Sequence, residues 1–298
     1  MRNWLLNLTM QRRQVFFLVL FLSTLPILRW FALILLSLVT LRCGAKAGSQ
    51  LVLAIVIPLA LQLTYSKLGL LPLLGQVANV SLLFVLSLLL HTTRSWLVVL
   101  QVLTVLGLVV VLGVHVVYPD IANFWHSLLT SEFANLNTLP AFFSGAVSEQ
   151  DMPALLAYVS RLATGLDVMV LSAAALVNVS LGRYLQATLF NPGGLKKELY
   201  QIHLSPLYAS ALILILILGL MTHLSLLLDC VGVVLLPLTV AGLSLMHYLT
   251  AQTRHQSVWL VFCYCALLLL SSEVFVILIG ASFVDAWWNI RQRYVFKR

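Results

Sequence analysis

Between Arg183 and Ser205 the chain reads RYLQATLFNPGGLKKELYQIHLS, the longest basic polar interruption in an otherwise largely apolar sequence. Within this segment, Asn191-Pro192-Gly193-Gly194 predicts the end of a helix, because proline lacks an amide proton and glycine accepts a positive φ. Two lysines follow directly, at positions 196 and 197. Lys and Arg beside membrane helices favour the cytoplasmic side, so we expect residues 183–205 to form a cytoplasmic basic loop.

The rest of the sequence has the composition of a membrane protein. Hydrophobic residues make up 61% of the 298 residues and charged residues only 9%, whereas soluble domains average about 25% charged residues. Apolar runs of around 20 residues match a hydrocarbon core of ~30 Å, and their lack of alternation excludes a barrel. We therefore predict an all-α, polytopic transmembrane helix bundle of about 8–10 membrane helical segments, with residues 1–298 forming a single integral membrane domain.

The distribution of charge predicts how the chain crosses the membrane. The net charge of +8 does not indicate nucleic acid as a partner, because the basic residues stand singly or in pairs at the ends of apolar runs. Residues 119–152 contain four acidic residues and neither Lys nor Arg, so we expect an extracytoplasmic loop there. The chief partner expected is therefore the lipid bilayer.

Two helical hairpins reconcile the acidic and basic loops with the positive-inside rule. If residues 14–41 and 259–283 were each one plain span, the acidic loop would be cytoplasmic. We instead predict hairpin tips at Pro26 and at Ser271–Glu273, which break the two apolar runs. This topology places both termini in the cytoplasm and requires short half-segments that tilt or pack against neighbours.

Four short motifs resemble a known family. They are LSLVTLRCGAKAG at 36–48, LQATLFNPGG at 185–194, AGLSLMH at 241–247, and GASFVD at 280–285 continuing to Arg291. Together they resemble the YybS-like family of uncharacterised polytopic bacterial inner-membrane proteins. That family is similar in fold to the substrate-binding (S) components of energy-coupling-factor transporters. The resemblance implies an S-component-like core in a bacterial inner membrane, binding or moving a small molecule. It also implies a cytoplasmic glycine-bounded turn at Gly44–Gly48.

Asp167 is the main candidate for a ligand-binding residue. It lies well inside a predicted long helix, where an intramembrane carboxylate marks an ion, proton or ligand path by default. Helical spacing places it on one polar stripe with Thr164 and Asn178. The alternative interpretation is a helix-packing stripe, in which these side chains hydrogen bond to a neighbouring helix.

Three further candidates lie near predicted extracytoplasmic turns. Arg29 and Trp30 follow Pro26, so they either contact an anionic ligand or form a snorkelling arginine beside an interfacial tryptophan. Trp125 belongs to an apolar face with helical spacing inside residues 119–152. That face predicts either an amphipathic helix lying on the outer leaflet or a lid over a ligand pocket.

The sequence contains no motif that indicates an enzyme. It has no His-Glu-x-x-His, Gly-x-Ser-x-Gly or phosphate-loop pattern, and nothing indicates a cofactor or a metal. The leading hypothesis is therefore a membrane protein that binds or moves a small molecule. The alternative is a membrane scaffold that recruits a membrane or cytoplasmic protein partner through its cytoplasmic face.

Overall fold

The structure is a computed structural model that describes residues 12–65, 70–135, 151–222 and 224–293. Within these ranges every regular element is a helix, which confirms the all-α prediction. The helices are α1 (Arg12–Thr24), α2 (Arg29–Cys43), α3 (Ala45–Tyr65), α4 (Leu70–Thr93), α5 (Trp96–Val117), α6 (Ile121–Asn135), α7 (Met152–Phe190), α8 (Gly194–Leu199), α9 (Pro206–Thr222), α10 (Ser225–Ala251), α11 (Gln256–Leu269), α12 (Ser271–Trp288) and α13 (Ile290–Arg293).

Five of the described helices are long and apolar enough to cross a membrane. They are α3, α4, α5, α7 and α10, and each has a window of at least 18 residues with few charges. Three shorter apolar helices, α1, α9 and α11, fall below the length of a full span. The described part of the chain therefore has the character of a multi-pass membrane protein.

The chain divides into two compact units. Unit 1 comprises Met1–Leu100 and Leu171–Gln201, and unit 2 comprises Gln101–Val170 and Ile202–Arg298. Two of the three boundaries fall inside α5 and inside α7, so each of these helices contributes residues to both units, and the third follows Gln201.

In unit 1, α2 packs against both α3 and α4, and α1 packs against α3. The turn between α2 and α3 is the single residue Gly44, which has a φ of +76° and donates its N–H to the Thr40 carbonyl oxygen. The predicted Gly44–Gly48 turn is therefore shorter than expected. Gly48 lies inside α3, where an added Cβ would come within 2.6 Å of the Phe84 ring on α4.

In unit 2, α10 packs against α9 and α12. It is the most buried of the five candidate spans, since 61% of the residues in its apolar window are buried. It also approaches α7 closely, since a Cβ on Gly232 would lie 2.6 Å from the Gly165 carbonyl oxygen. In the other direction, a Cβ on Gly165 would overlap the backbone of Asp229. The two helices thus meet backbone to backbone, which is a common use of small residues in membrane bundles.

The predicted helix breaks are present with small changes of position. Pro26 lies between α1 and α2, as expected. The second break falls at Leu270, and Ser271–Glu273 forms the first turn of α12 rather than the turn itself. Leu270 interrupts the helix, because its φ of −125° and ψ of 53° depart from helical values.

The segment 183–205 is more helical than a loop. Residues 183–190 are the last two turns of α7, which spans 39 residues and ends where the Asn-Pro-Gly-Gly turn begins. At ~1.5 Å per residue this helix is about 58 Å long, well beyond a ~30 Å hydrocarbon core. Gly193 has a φ of +82° and α8 follows it at once. Within 119–152, α6 confirms a helix around Trp125, and residues 136–150 lie outside the described ranges.

Candidate functional site

A pocket of about 440 Å³ lies in unit 1 where several helix ends meet. We call it the basic pocket; its lining residues are Leu41, Arg42, Leu90, His91, Arg94, Arg183, Gln186, Phe190, Asn191 and Glu198. The last turns of α2, α4 and α7 supply most of them, and α8 supplies the glutamate. Small-molecule sites commonly have volumes of about 300–1,000 Å³, so the pocket is large enough for a small ligand.

One wall of the basic pocket is fixed by a bidentate ion pair. The Arg183 Nε donates to Glu198 Oε2 at 3.0 Å, and its Nη2 pairs with Glu198 Oε1. The Trp96 indole also donates to Glu198 Oε2, at 3.2 Å. Arg183 Nη1 donates to Gln186 Oε1 at 2.9 Å, and Gln186 Nε2 donates to the Leu41 carbonyl at 3.1 Å. Glu198 therefore holds α8 against α7 and offsets the charge of Arg183.

Arg42 and Arg94 supply the remaining formal positive charge. The Arg42 guanidinium carbon lies 3.5 Å from the centre of the Phe190 ring, a cation–π contact. Arg94 is exposed and has a φ of 53°, a left-handed conformation that glycine usually occupies after a helix. Such strain costs about 1–3 kcal/mol and is concentrated at functional sites. A cation is thus placed at the rim of the pocket at a conformational cost.

His91 completes the polar lining. Its Nδ1 lies 2.8 Å from the Leu41 carbonyl oxygen, so Nδ1 carries the proton and donates. The other ring nitrogen, Nε2, remains to accept a hydrogen bond or, in the imidazolium form, to donate one. Three arginines against one glutamate leave the lining with a formal charge of +2. Guanidinium groups in this number suit carboxylate or phosphate groups.

A second group of polar side chains lies in unit 2, and we call it the polar cluster: His115, Trp125, Thr164, Gly165 and Asp229. Asp229 is 2% exposed, and its Oδ1 accepts the Gly165 backbone N–H at 2.7 Å. Its Oδ2 lies 2.9 Å from His115 Nε2. The Trp125 indole donates to the Thr164 hydroxyl at 2.9 Å, and that hydroxyl also reaches the Asp229 carboxylate.

The structure brings together two of the six predicted ligand residues. Thr164 and Trp125 meet in the polar cluster, and Thr164 is 5% exposed. Asp167, the main candidate, is not buried as expected. The expectation of a buried carboxylate was wrong at this position, since Asp167 is exposed and no hydrogen bond to it occurs among the described residues. In the polar cluster, the buried carboxylate is that of Asp229.

The other three predicted residues belong to unit 1 and do not line the basic pocket. Arg29 donates to Gln76 Oε1 at 2.5 Å and to Gln62 Oε1 at 2.7 Å. Arg29 therefore bonds to two side-chain amides, while Trp30 is 54% exposed. Asn178 is 1% exposed and donates to the Ala174 carbonyl at 2.9 Å. Its Oδ1 has no hydrogen-bond partner in the described part of the chain.

Sequence reasoning missed the residues that line the basic pocket, and in the polar cluster it missed His115, Gly165 and Asp229. Asp229 lies in the second turn of α10, where the Gly165 N–H, His115 and the Thr164 hydroxyl hydrogen bond to it. Arg42, Arg94 and Arg183 were interpreted only as markers of topology. All three arginines were predicted to lie on the same side of the membrane, and this was the available signal that they could meet.

The described residues contain no group of three or more His, Cys, Asp or Glu side chains that could hold a metal ion. The sequence matches no protein-family model, and neither a curated protein nor a solved structure matches the chain.

Proposed function

We propose that this multi-pass membrane protein binds a small anionic molecule in the basic pocket and acts as a carrier-like protein similar to an S component. In this proposal it lies in a bacterial inner membrane with both termini cytoplasmic and about 8–10 helical segments. The basic pocket then opens towards the cytoplasm, because Arg42, Arg94 and Arg183 lie beside predicted cytoplasmic ends.

The observation that carries the proposal is the combination of volume, charge and rigidity in one pocket. A space of about 440 Å³ has a formal charge of +2, and its Glu198 wall is fixed by hydrogen bonds from Arg183 and Trp96. Pre-formed sites spend less free energy on ordering their side chains when a ligand binds. Arg94 supports the same conclusion, because an arginine at positive φ brings a cation to the pocket where a glycine would be less strained.

A second candidate function is a membrane scaffold, and α8 is the observation that favours it. Lys196 and Lys197 are exposed on this short helix, and the Arg183–Glu198 pair holds the helix in place. An ordered basic surface of this kind suits an acidic protein partner. In this alternative the basic pocket has only a structural role.

Native mass spectrometry of gently purified protein tests the proposal. We expect an acidic small molecule to co-purify with the wild type and to be lost from the Arg42→Ala/Arg94→Ala double variant. Arg161→Ala removes an exposed arginine of unit 2, outside the pocket, and should retain the adduct. Equal adduct in all three proteins would contradict the basic pocket as the binding site. A co-purifying protein that is lost on Lys196→Ala/Lys197→Ala would favour the scaffold.

A further inference from the structure

The polar cluster of unit 2 contains a carboxylate and an imidazole that the proposed ligand pocket does not use. His115 is the third residue from the end of α5, and Asp229 is the fifth residue of α10. Both helices are candidate membrane spans. Side chains that ionise inside a span are costly, and they mark a function by default when they are paired.

Both carboxylate oxygens of Asp229 have hydrogen-bond partners. Its Oδ1 accepts the Gly165 N–H at 2.7 Å and its Oδ2 lies 2.9 Å from His115 Nε2. Donors that bond to both oxygens favour the ionised carboxylate. The proton on the His115–Asp229 contact therefore belongs to Nε2, and the imidazole donates. Nδ1 of His115 can bind an additional proton while both of these hydrogen bonds are kept.

The surroundings supply no other strong charge. From α7 the pair meets the Gly165 amide and the Thr164 hydroxyl, and from α10 it meets the thiol of Cys230. Beside these lies an apolar core cluster in which α5 contributes Val111 and α9 contributes Ile215. In the described ranges, no Lys or Arg side chain bonds to either member of the pair.

With a neutral imidazole, the pair therefore has a net charge of −1 in apolar surroundings. One additional proton on Nδ1 makes it a neutral imidazolium–carboxylate pair with the same hydrogen bonds. Burial disfavours the net charge, so it favours uptake of this proton.

We infer that the His115–Asp229 pair is a proton-binding site within the membrane-spanning part of unit 2. One proton from water binds Nδ1 of His115, and Asp229 stays ionised and holds the imidazolium. No other atom or electron is transferred. A protein that moves an anion could take up this proton along with it; that consequence rests on the proposed function, whereas the proton site does not.

Nitrogen-15 NMR of histidine-labelled protein in detergent micelles tests the site without any ligand. The chain has seven histidines, and His115→Gln identifies the His115 signals by their loss. We expect the Nδ1 signal of His115 to shift between about pH 5 and pH 8, where imidazoles titrate. Asp229→Asn should weaken proton binding at His115 about tenfold or more, a shift of about one pH unit.

His126→Gln is the matched control, since His126 is an exposed histidine on α6 in the same unit, and it should leave the His115 titration unchanged. A His115 signal that stays constant across the range would overturn the inference. A titration identical in Asp229→Asn and wild type would overturn it equally. If Asp229→Asn does not fold, the wild-type titration assigned with His115→Gln decides by itself, because a shifting signal supports the site and a constant one refutes it.

Discussion

Removing Arg291 alone should destabilise the protein far more than removing its whole ion pair. Arg291 and Asp285 are 8% and 2% exposed, and Arg291 Nε donates to Asp285 Oδ2 at 2.9 Å. Arg291 also donates to the Ile202 carbonyl at 2.7 Å and to the Ser244 hydroxyl at 3.1 Å.

The expected magnitudes follow from what each variant leaves behind. Arg291→Met keeps an apolar stem and leaves Asp285 as a buried unpaired charge, which costs about 3–5 kcal/mol. In the Asp285→Asn/Arg291→Met double variant the charge is gone, but the amide that replaces the carboxylate is buried without its arginine partner, and the Ile202 carbonyl keeps only the Ser244 hydroxyl as a donor. That loss is about 1–3 kcal/mol, so the double variant should be more stable than Arg291→Met by about 2 kcal/mol.

Unfolding of the purified protein in mixed micelles, followed by tryptophan fluorescence against added SDS, measures these differences. Arg293→Met is the control, because Arg293 is an exposed arginine on the same helix, and its cost should be within about 0.5 kcal/mol. A double variant as unstable as Arg291→Met would refute the reasoning. Equal stabilities for Arg291→Met and Arg293→Met would refute it as well.

Three further predictions test the topology and the two environments of unit 2. A cysteine at Ser131 should react with an impermeant maleimide added to intact cells, whereas one at Gln201 should not; the reverse pattern would contradict the hairpin topology. Gly165→Ala should cost more than about 3 kcal/mol in SDS unfolding, because the added Cβ meets the backbone of α10. Gly113→Ala, with no atom within 4 Å of the new Cβ, should not destabilise, and equal losses would refute the close helix contact. Asp167→Leu should change stability by no more than about 0.5 kcal/mol, because this carboxylate is exposed; a large loss would indicate a partner.

Local chemistry made parts of the fold predictable. The Asn-Pro-Gly-Gly turn ends α7 at Phe190, as expected from a missing amide proton and from a glycine at positive φ. Pro26 likewise separates α1 from α2. These features depend on a few adjacent residues. The break at Leu270 was predicted one residue too late, since no proline or glycine marks it.

The candidate sites were harder to predict because they depend on contacts between distant parts of the chain. Helical spacing grouped Asp167 with Thr164, yet of these two residues Thr164 is buried and Asp167 is exposed. Spacing within α7 contains no information about which neighbour covers which face. Asp229 is buried only because α7 offers a glycine opposite it, and nothing in the local sequence of α10 reveals that glycine.

The contact between α7 and α10 also has a consequence for biogenesis. Chains are synthesised from the N-terminus at about 5–20 residues per second, and domains fold as they emerge. His115 and Gly165 both precede Asp229, so the two donors are already in the chain when the carboxylate is translated. A helix that enters the lipid with an ionised side chain is costly until a partner covers that side chain. Here the order of synthesis places the partners in the chain first. The most buried of the described candidate spans, α10, therefore enters the membrane after the groups that stabilise its carboxylate.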